Sequence, residues 1–181
     1  AVIKREVLIV GGGPAGASCA WALRRSGVDC LILDRVRFPR EKLCAGWIQP
    51  EVMEALKFDA DRYPVGLMRF DSLKISVRGI RVPVPTRQYA IRRVEFDHWL
   101  LKRADVPVEV HHVREITRAD GGYAIDGRFW GRHLVGAGGT YCPVQRTFFR
   151  EAAPRSPENL IATQELEFPY DYADPQIGRA H

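Results

Sequence analysis

Residues 7–35, VLIVGGGPAGASCAWALRRSGVDCLILDR, decide the fold. The apolar run Val7 to Val10 enters a glycine cluster spaced Gly11-x-Gly13-x-x-Gly16. A helix of small residues follows, and a second apolar run, Val28 to Leu33, ends on Asp34. This is the order strand, turn, helix, strand that the GxGxxG motif needs before it means dinucleotide binding. Gly11 permits the turn, Gly13 lets backbone approach a pyrophosphate, and Gly16 allows close packing of the helix. Pro14 suits a first helical turn, where its missing N–H costs nothing. The free N–H groups and positive dipole end of that helix then face phosphate. Asp34 lies about twenty residues past the first glycine, where a carboxylate accepts hydrogen bonds from ribose hydroxyls. An anion there also disfavours a 2′-phosphate.

The pattern continues outward from this unit. The first strand is expected over residues 6–10, the helix over 14–26 with Gly27 as its left-handed cap, and the second strand over 28–34. Ala15, Ala17, Ala20 and Ala22 would keep the helix slim against the sheet. A short helix should follow Pro50, with Val52, Ala55 and Leu56 on its apolar side. From 66 to 91 apolar residues alternate with polar ones, and interspersed prolines suggest an edge of antiparallel sheet. Helical spacing returns over 93–104, with Phe96, Trp99, Leu100 and Ala104 inward. Val106 to Val113 reads as a strand resuming the parallel sheet. Asp120-Gly121-Gly122 is a hairpin turn. Phe129-Trp130 and His133 to Val135 read as further strands, Cys142-Pro143-Val144 as the start of a short helix, and 159–168 as one more strand.

Composition bounds the function. The 181 residues are 46% hydrophobic and 27% charged, ordinary for a globular domain. No run is long and apolar enough to span a bilayer, and no signal peptide is expected ahead of the first strand. Net charge is +5, with pI near 9.2. The basic residues are spread along the chain rather than interleaved with aromatics, which argues against nucleic acid. A mildly basic balance also suits peripheral contact with anionic lipid headgroups or a diphosphate substrate. The four cysteines, Cys19, Cys30, Cys44 and Cys142, form no CxxC pair. A reducing cytoplasm is therefore expected. The five histidines lack metal-ligand spacing, so no metal is expected.

Three further segments bear on chemistry. In Phe38 to Trp47, the small residues Ala45 and Gly46 stand beside Cys44. Small residues let backbone lie against a flat ring, and exposed N–H groups stabilise negative charge on a reduced ring. By spacing alone the favoured reading is a surface loop with a buried structural cysteine. Arg93 opens a helix against its dipole, which an anion would relieve, although a solvated arginine fits as well. Val135-Gly136-Ala137-Gly138-Gly139 is a second strand running into glycines, able to bring more backbone against the same cofactor.

Together these segments resemble the N-terminal half of the geranylgeranyl reductase family, within the glutathione-reductase-like flavoproteins that include aromatic hydroxylases and halogenases. The resemblance rests on GGGPAG at 11–16 with Asp34-Arg35, FPREKLCAG at 38–46, RVEFDHWL at 93–100 and VGAGGTYCPV at 135–144. Halogenases of the group usually carry a Gly-Glu-Ser type segment in the second region. The resemblance implies an α/β fold: a Rossmann-like FAD-binding βαβ with parallel sheet, plus an inserted antiparallel β-sheet region. It implies FAD as cofactor. Gly11, Gly13, Pro14, Ala15 and Gly16 would hold the pyrophosphate, and Asp34 with Arg35 the adenosine ribose. Cys44, Ala45 and Gly46 would lie along the flavin, Arg93 would be a further contact, and Val113 would present backbone to the adenine. No catalytic acid or base is implied, and Cys44 is the one side chain placed near the chemistry.

The implied organisation is a discontinuous FAD-binding domain, 1–65 and 93–155. Residues 66–92 and 156–181 would begin a β-rich substrate domain. The implied reaction is flavin-mediated hydride transfer to or from C=C bonds of a lipophilic, isoprenoid-like substrate, with NAD(P)H or ferredoxin as electron donor. A flavin monooxygenase or halogenase, and an inactive nucleotide-binding module, are the alternatives. Two departures stand out. Gly138 occupies the place of the acid in the wider group's Gly-Ala-Asp-Gly segment. The later Gly-Asp-Ala and Trp-x-Phe-Pro segments of the family do not occur by His181, so the chain is expected to be a truncated form.

Overall fold

A computed structural model describes residues 1–78, 80–154, 158 and 161–164. Its contacts divide into two units: Ala1–Arg40 with Asp97–Ile161, and a second built on Glu41–Phe96. The division expected from sequence, at 65/66 and 92/93, differs from this grouping over residues 41–65 and 93–96.

The first unit is built on a mixed six-stranded sheet. In chain order its elements are β1 (Ile3–Val10), α1 (Pro14–Arg25) and β2 (Cys30–Asp34). Within the second unit follow β3 (Trp47–Ile48), α2 (Pro50–Ala55), β4 (Leu67–Val77) and β5 (Ile80–Ile91). Then come α3 (Arg93–Ala104), β6 (Val108–Val110), β7 (Ile116–Ala119), β8 (Gly122–Ile125), β9 (Phe129–Gly136) and α4 (Pro143–Phe148). The sheet order is β6-β2-β1-β9-β8-β7. Strands β6, β2, β1 and β9 run parallel, while β8 and β7 add antiparallel. A parallel sheet is buried on both faces, which is why Val7 to Val10 and Cys30 to Asp34 are buried without alternation.

Helix α1 shows how local chemistry sets its ends. Pro14 stands in its first turn. At the other end the Gly27 N–H donates to Arg24 O at 3.0 Å and the Val28 N–H to Leu23 O at 3.0 Å. These are the paired bonds of a Schellman cap, with Gly27 at φ +73°. Gly16, Ala17 and Ala20 are the buried residues of this helix. Ala15 and Ala22 face solvent, so two of the four alanines read as sheet-facing are not.

Other expectations need correcting. The two short strands expected at 129–130 and 133–135 are one strand, β9, pairing with β1 along its length. Gly131 reads as a break, but it lies inside the strand because a Cβ there would come within 2.6 Å of Leu8 Cγ. The strand expected over 106–113 shrinks to β6, and Val113 lies beyond it, packed in the core with Leu8, Leu33, Ile125 and Phe129. In α2 the buried residue is Met53; Val52 is 40% exposed and Ala55 is exposed. The strand expected over 159–168 falls mostly outside the described residues, and residues 161–164 carry no regular structure.

The hairpin at Asp120-Gly121 forms as read, with φ +50° and +73° at its two central residues, the signature of a type I′ turn. In the second unit β4 and β5 pair antiparallel, placing Leu73 opposite Val84, Ile75 opposite Val82 and Val77 opposite Ile80. Strand β3 pairs with β5 at Tyr89 and Ala90. Pro83 and Pro85 lie beyond that pairing, so there, among the described residues, β5 has β4 alone beside it and the edge reading holds locally. Phe58, Tyr63 and Phe96 pack their rings at centroid distances of 6.0 to 6.1 Å.

Candidate functional site

The site is built where β1 ends and α1 begins. The Gly11 N–H donates to Leu33 O at 2.8 Å, tying the loop to β2. Gly11 adopts φ +113°, and a Cβ on it would collide with the Ala137 carbonyl oxygen. A Cβ on Gly16 would collide with the Gly11 carbonyl oxygen. These two glycines therefore serve the packing of the loop itself. Gly13 is different. Its φ of −69° suits any residue, and the nearest side-chain atom to its Cβ position is Arg40 Nη2 at 3.5 Å. Gly13 is the glycine left open on the outer side of the loop.

The segment after β9 closes the other side. The Ala137 N–H donates to Val10 O at 2.8 Å, which is how Ala137 reaches Gly11. The second glycine cluster is thus brought against the first. A Cβ on Gly138 would approach the Cys142 Cα at 3.0 Å.

Asp34 ends β2 as a buried residue, 9% exposed. Its Oδ2 accepts from the Gly12 N–H at 2.7 Å, and its Oδ1 from the Val36 N–H at 3.0 Å. A carboxylate offers about four lone-pair sites, so two acceptor positions remain for hydroxyl donors. The Asp34 carbonyl accepts from His111 N–H at 2.7 Å. His111 Nε2 in turn meets Asp126 Oδ2 at 2.6 Å. Burial pushes the Asp126 carboxyl up, but hydrogen bonds from the Glu115 N–H, His111 and the Arg114 N–H outweigh it and hold the carboxyl below its usual range. This knot fixes the backbone from 111 to 115 beside the end of β2.

Sequence reasoning placed twelve residues at the site, and they divide between the two units. Gly11, Gly13, Pro14, Ala15, Gly16, Asp34, Arg35 and Val113 are in the first. The glycine loop and Asp34 meet directly. Arg35 is exposed, and the Val113 side chain is buried at 6% exposure. Cys44, Ala45, Gly46 and Arg93 are in the second unit. There Gly46 adopts φ +67°, and a Cβ on it would collide with the Ile91 carbonyl oxygen. Its own carbonyl accepts from the Ile91 N–H at 2.9 Å. Cys44 is half-buried and Ala45 exposed. Arg93 opens α3, followed in the first turn by Glu95.

Two residues were missed. Asp97 is fully buried, and Arg40 Nη2 lies 3.5 Å from its Oδ2. The signal for Asp97 was available: an acid on the inward face of a helix, one residue from Phe96 and three and four before Leu100 and Leu101. Such an acid demands a cation.

This arrangement offers what an adenine dinucleotide requires: an open helix N-terminus for a diphosphate and a fixed carboxylate for a ribose. Residues 4–59 match the family described as FAD binding domain. The menaquinone reductase of Mycobacterium tuberculosis is 31% identical over 169 residues, covering 80% of this chain and 40% of its own. Digeranylgeranylglycerophospholipid reductase 1 of Methanopyrus kandleri is 27% identical over 190 residues, covering 97% of this chain and 50% of its own. The 1H-pyrrole-2-carbonyl-[peptidyl-carrier protein] brominase of Pseudoalteromonas luteoviolacea is 31% identical over 127 residues, 64% of this chain and 31% of its own. Among solved structures, a geranylgeranyl bacteriochlorophyll reductase-like protein of Thermoplasma acidophilum superposes with TM-score 0.64 at 16% identity. It covers 74% of this chain and 39% of its own. The chain therefore spans half or less of the length of these proteins.

The parallel βαβ unit and the match over residues 4–59 define an FAD-binding fold. The relatives it resembles include both reductases and a brominase. Among the described residues, no helix is long and apolar enough to cross a membrane, and no cluster of His, Cys, Asp and Glu is placed to hold a metal.

Proposed function

We propose that this chain contributes the nucleotide-holding part of an enzyme that reduces or forms C=C bonds of a lipophilic, isoprenoid-like molecule. The observation that carries the reading is the pairing of Gly13, open at the start of α1, with the Asp34 carboxylate held against Gly12. FAD, when bound, supplies the hydride chemistry. The chain's own residues do the holding. Gly13, Pro14 and Ala15 present the helix start to the diphosphate, and Gly11 and Gly16 keep that loop tight. Asp34 accepts from the adenosine ribose, with Arg35 beside it at the end of β2. The backbone after β6, leading to Val113, borders the adenine. Cys44, Ala45, Gly46 and Arg93 are assigned to the flavin portion, with Cys44 nearest the chemistry. The electron donor is NAD(P)H or ferredoxin, and the setting is the cytoplasm, with peripheral membrane contact where the substrate is a lipid.

The names of the relatives support a reductase of lipophilic unsaturated molecules, and the brominase supports a second reading, flavin-dependent halogenation or oxygenation. One experiment separates them. The protein is loaded with FAD, reduced anaerobically with dithionite, and offered geranylgeranyl diphosphate. Reoxidation of the flavin, with two mass units gained per bond reduced, supports the first reading. Inertness to the prenyl substrate, together with halogenation or hydroxylation of an aromatic when oxygen and bromide are supplied, supports the second.

A further inference from the structure

We infer that Arg40 is a diphosphate ligand and that buried Asp97 is the anchor that positions it; the inference rests on the FAD reading of the glycine loop. Arg40 ends the segment Phe38-Pro39-Arg40 within the first unit. Its Nη2 stands 3.5 Å from the Cβ position of Gly13, the open residue at the start of α1. The guanidinium also lies over the Phe38 ring, 4.7 Å from its centroid. Phe38 in turn is 3.2 Å from the Cβ position of Gly12, the residue that donates to Asp34. A strip therefore runs along the loop: Asp34 and Phe38 at Gly12, Arg40 at Gly13. It follows the order ribose, then diphosphate.

Three physical points favour a ligand role over a purely structural one. A cation at a helix N-terminus opposes the dipole, and the first turn of α1 contains no acid and no side-chain cap to offset it. An anion bound there relieves both. Second, the contact with Asp97 is long. The 3.5 Å separation exceeds the roughly 2.7–2.9 Å of a good charge-assisted hydrogen bond. A guanidinium carries five N–H donors, and this one keeps 18% of its side chain exposed, so it can serve a second anion. Third, Asp97 and the Phe38 ring hold the guanidinium from two directions. Less side-chain freedom is then lost when the guanidinium meets the paired oxygens of a phosphate, a geometry at which arginine exceeds lysine.

The test compares the full chain with Arg40→Gln, Arg40→Lys and Asp97→Asn by calorimetric titration with FAD, ADP and adenosine at low and high salt. Wild type should bind FAD and ADP more tightly than adenosine. Arg40→Gln should weaken FAD and ADP about 10- to 100-fold, as loss of a charge-assisted contact implies, and leave adenosine unchanged. Arg40→Lys should fall between. Asp97→Asn should lower the ADP-to-adenosine preference and flatten its salt dependence, which a residue that merely supports the fold would not do. If Arg40→Gln and Arg40→Lys both bind ADP as wild type does, the inference is overturned and Arg40 is a partner for Asp97 alone. If wild type binds neither FAD nor ADP, the FAD reading itself falls.

Discussion

Replacing Asp34 with alanine should damage both the fold and the nucleotide site. The carboxylate accepts two backbone N–H groups, Gly12 at 2.7 Å and Val36 at 3.0 Å. Hydrogen bonds to a charged group contribute about 1.5–3 kcal/mol each. Val36 is 42% exposed, so water can recover its N–H in the variant. The Gly12 N–H is buried and has no such recourse. The net loss is then about 2–4 kcal/mol. For a chain of this size, each kcal/mol shifts Tm by about 2–4 °C, so thermal unfolding should move down by about 5–15 °C. Asp34→Asn keeps one oxygen acceptor but turns an NH2 group toward the other N–H, so it should lie between. Both variants should also weaken FAD. The assay is differential scanning calorimetry with and without FAD. A Tm within about 2 °C of wild type for Asp34→Ala would refute the claim that this carboxylate organises the loop.

The two glycines of the loop should separate fold from binding. Gly16→Ala should destabilise by about 2–3 kcal/mol or more, because its Cβ collides with the Gly11 carbonyl, as read from the denaturant midpoint. Gly13→Ala should cost less than about 1 kcal/mol yet weaken FAD, since its Cβ enters the open side of the loop. For Asp126, the folded pKa is depressed, so its stabilisation is present above the unfolded value of about 3.9 and is lost as pH falls below it. Asp126→Asn should be less stable than wild type at pH 7, and its Tm should fall less between pH 5 and pH 2. Burial, with nearby Asp29 and Cys19, pushes the Cys30 thiol up, and its side chain is 2% exposed. Its alkylation by iodoacetamide at pH 8 should be slow in the native chain and fast after unfolding.

Much of the site was legible because its chemistry is local. The glycine spacing, Pro14, the Gly27 cap and the acid at the end of β2 each act through neighbours in sequence; all but Gly27, which closes the far end of α1, meet at one loop. Helix α3 was also readable, since Phe96, Leu100 and Ala104 fall on one face and end where Asp105 takes φ +51°. What sequence hid depends on distant contacts. Gly131 reads as a break until Leu8 of the neighbouring strand explains it. Met53 was passed over for Val52 because the turn's orientation is set by tertiary packing, not periodicity. Arg40 and Asp97 are 57 positions apart in the chain, and neither announces the other. Val113 looked like strand because valine favours strands; the His111–Asp126 knot ends β6 earlier.

The central claim is that a bare helix start and a ribose-facing carboxylate form a receptor for the ADP half of FAD. Competition titration of the purified chain tests it most directly. Saturable FAD binding that ADP displaces and FMN does not is the expected result. Failure to bind FAD, or displacement by FMN as effective as by ADP, would contradict it.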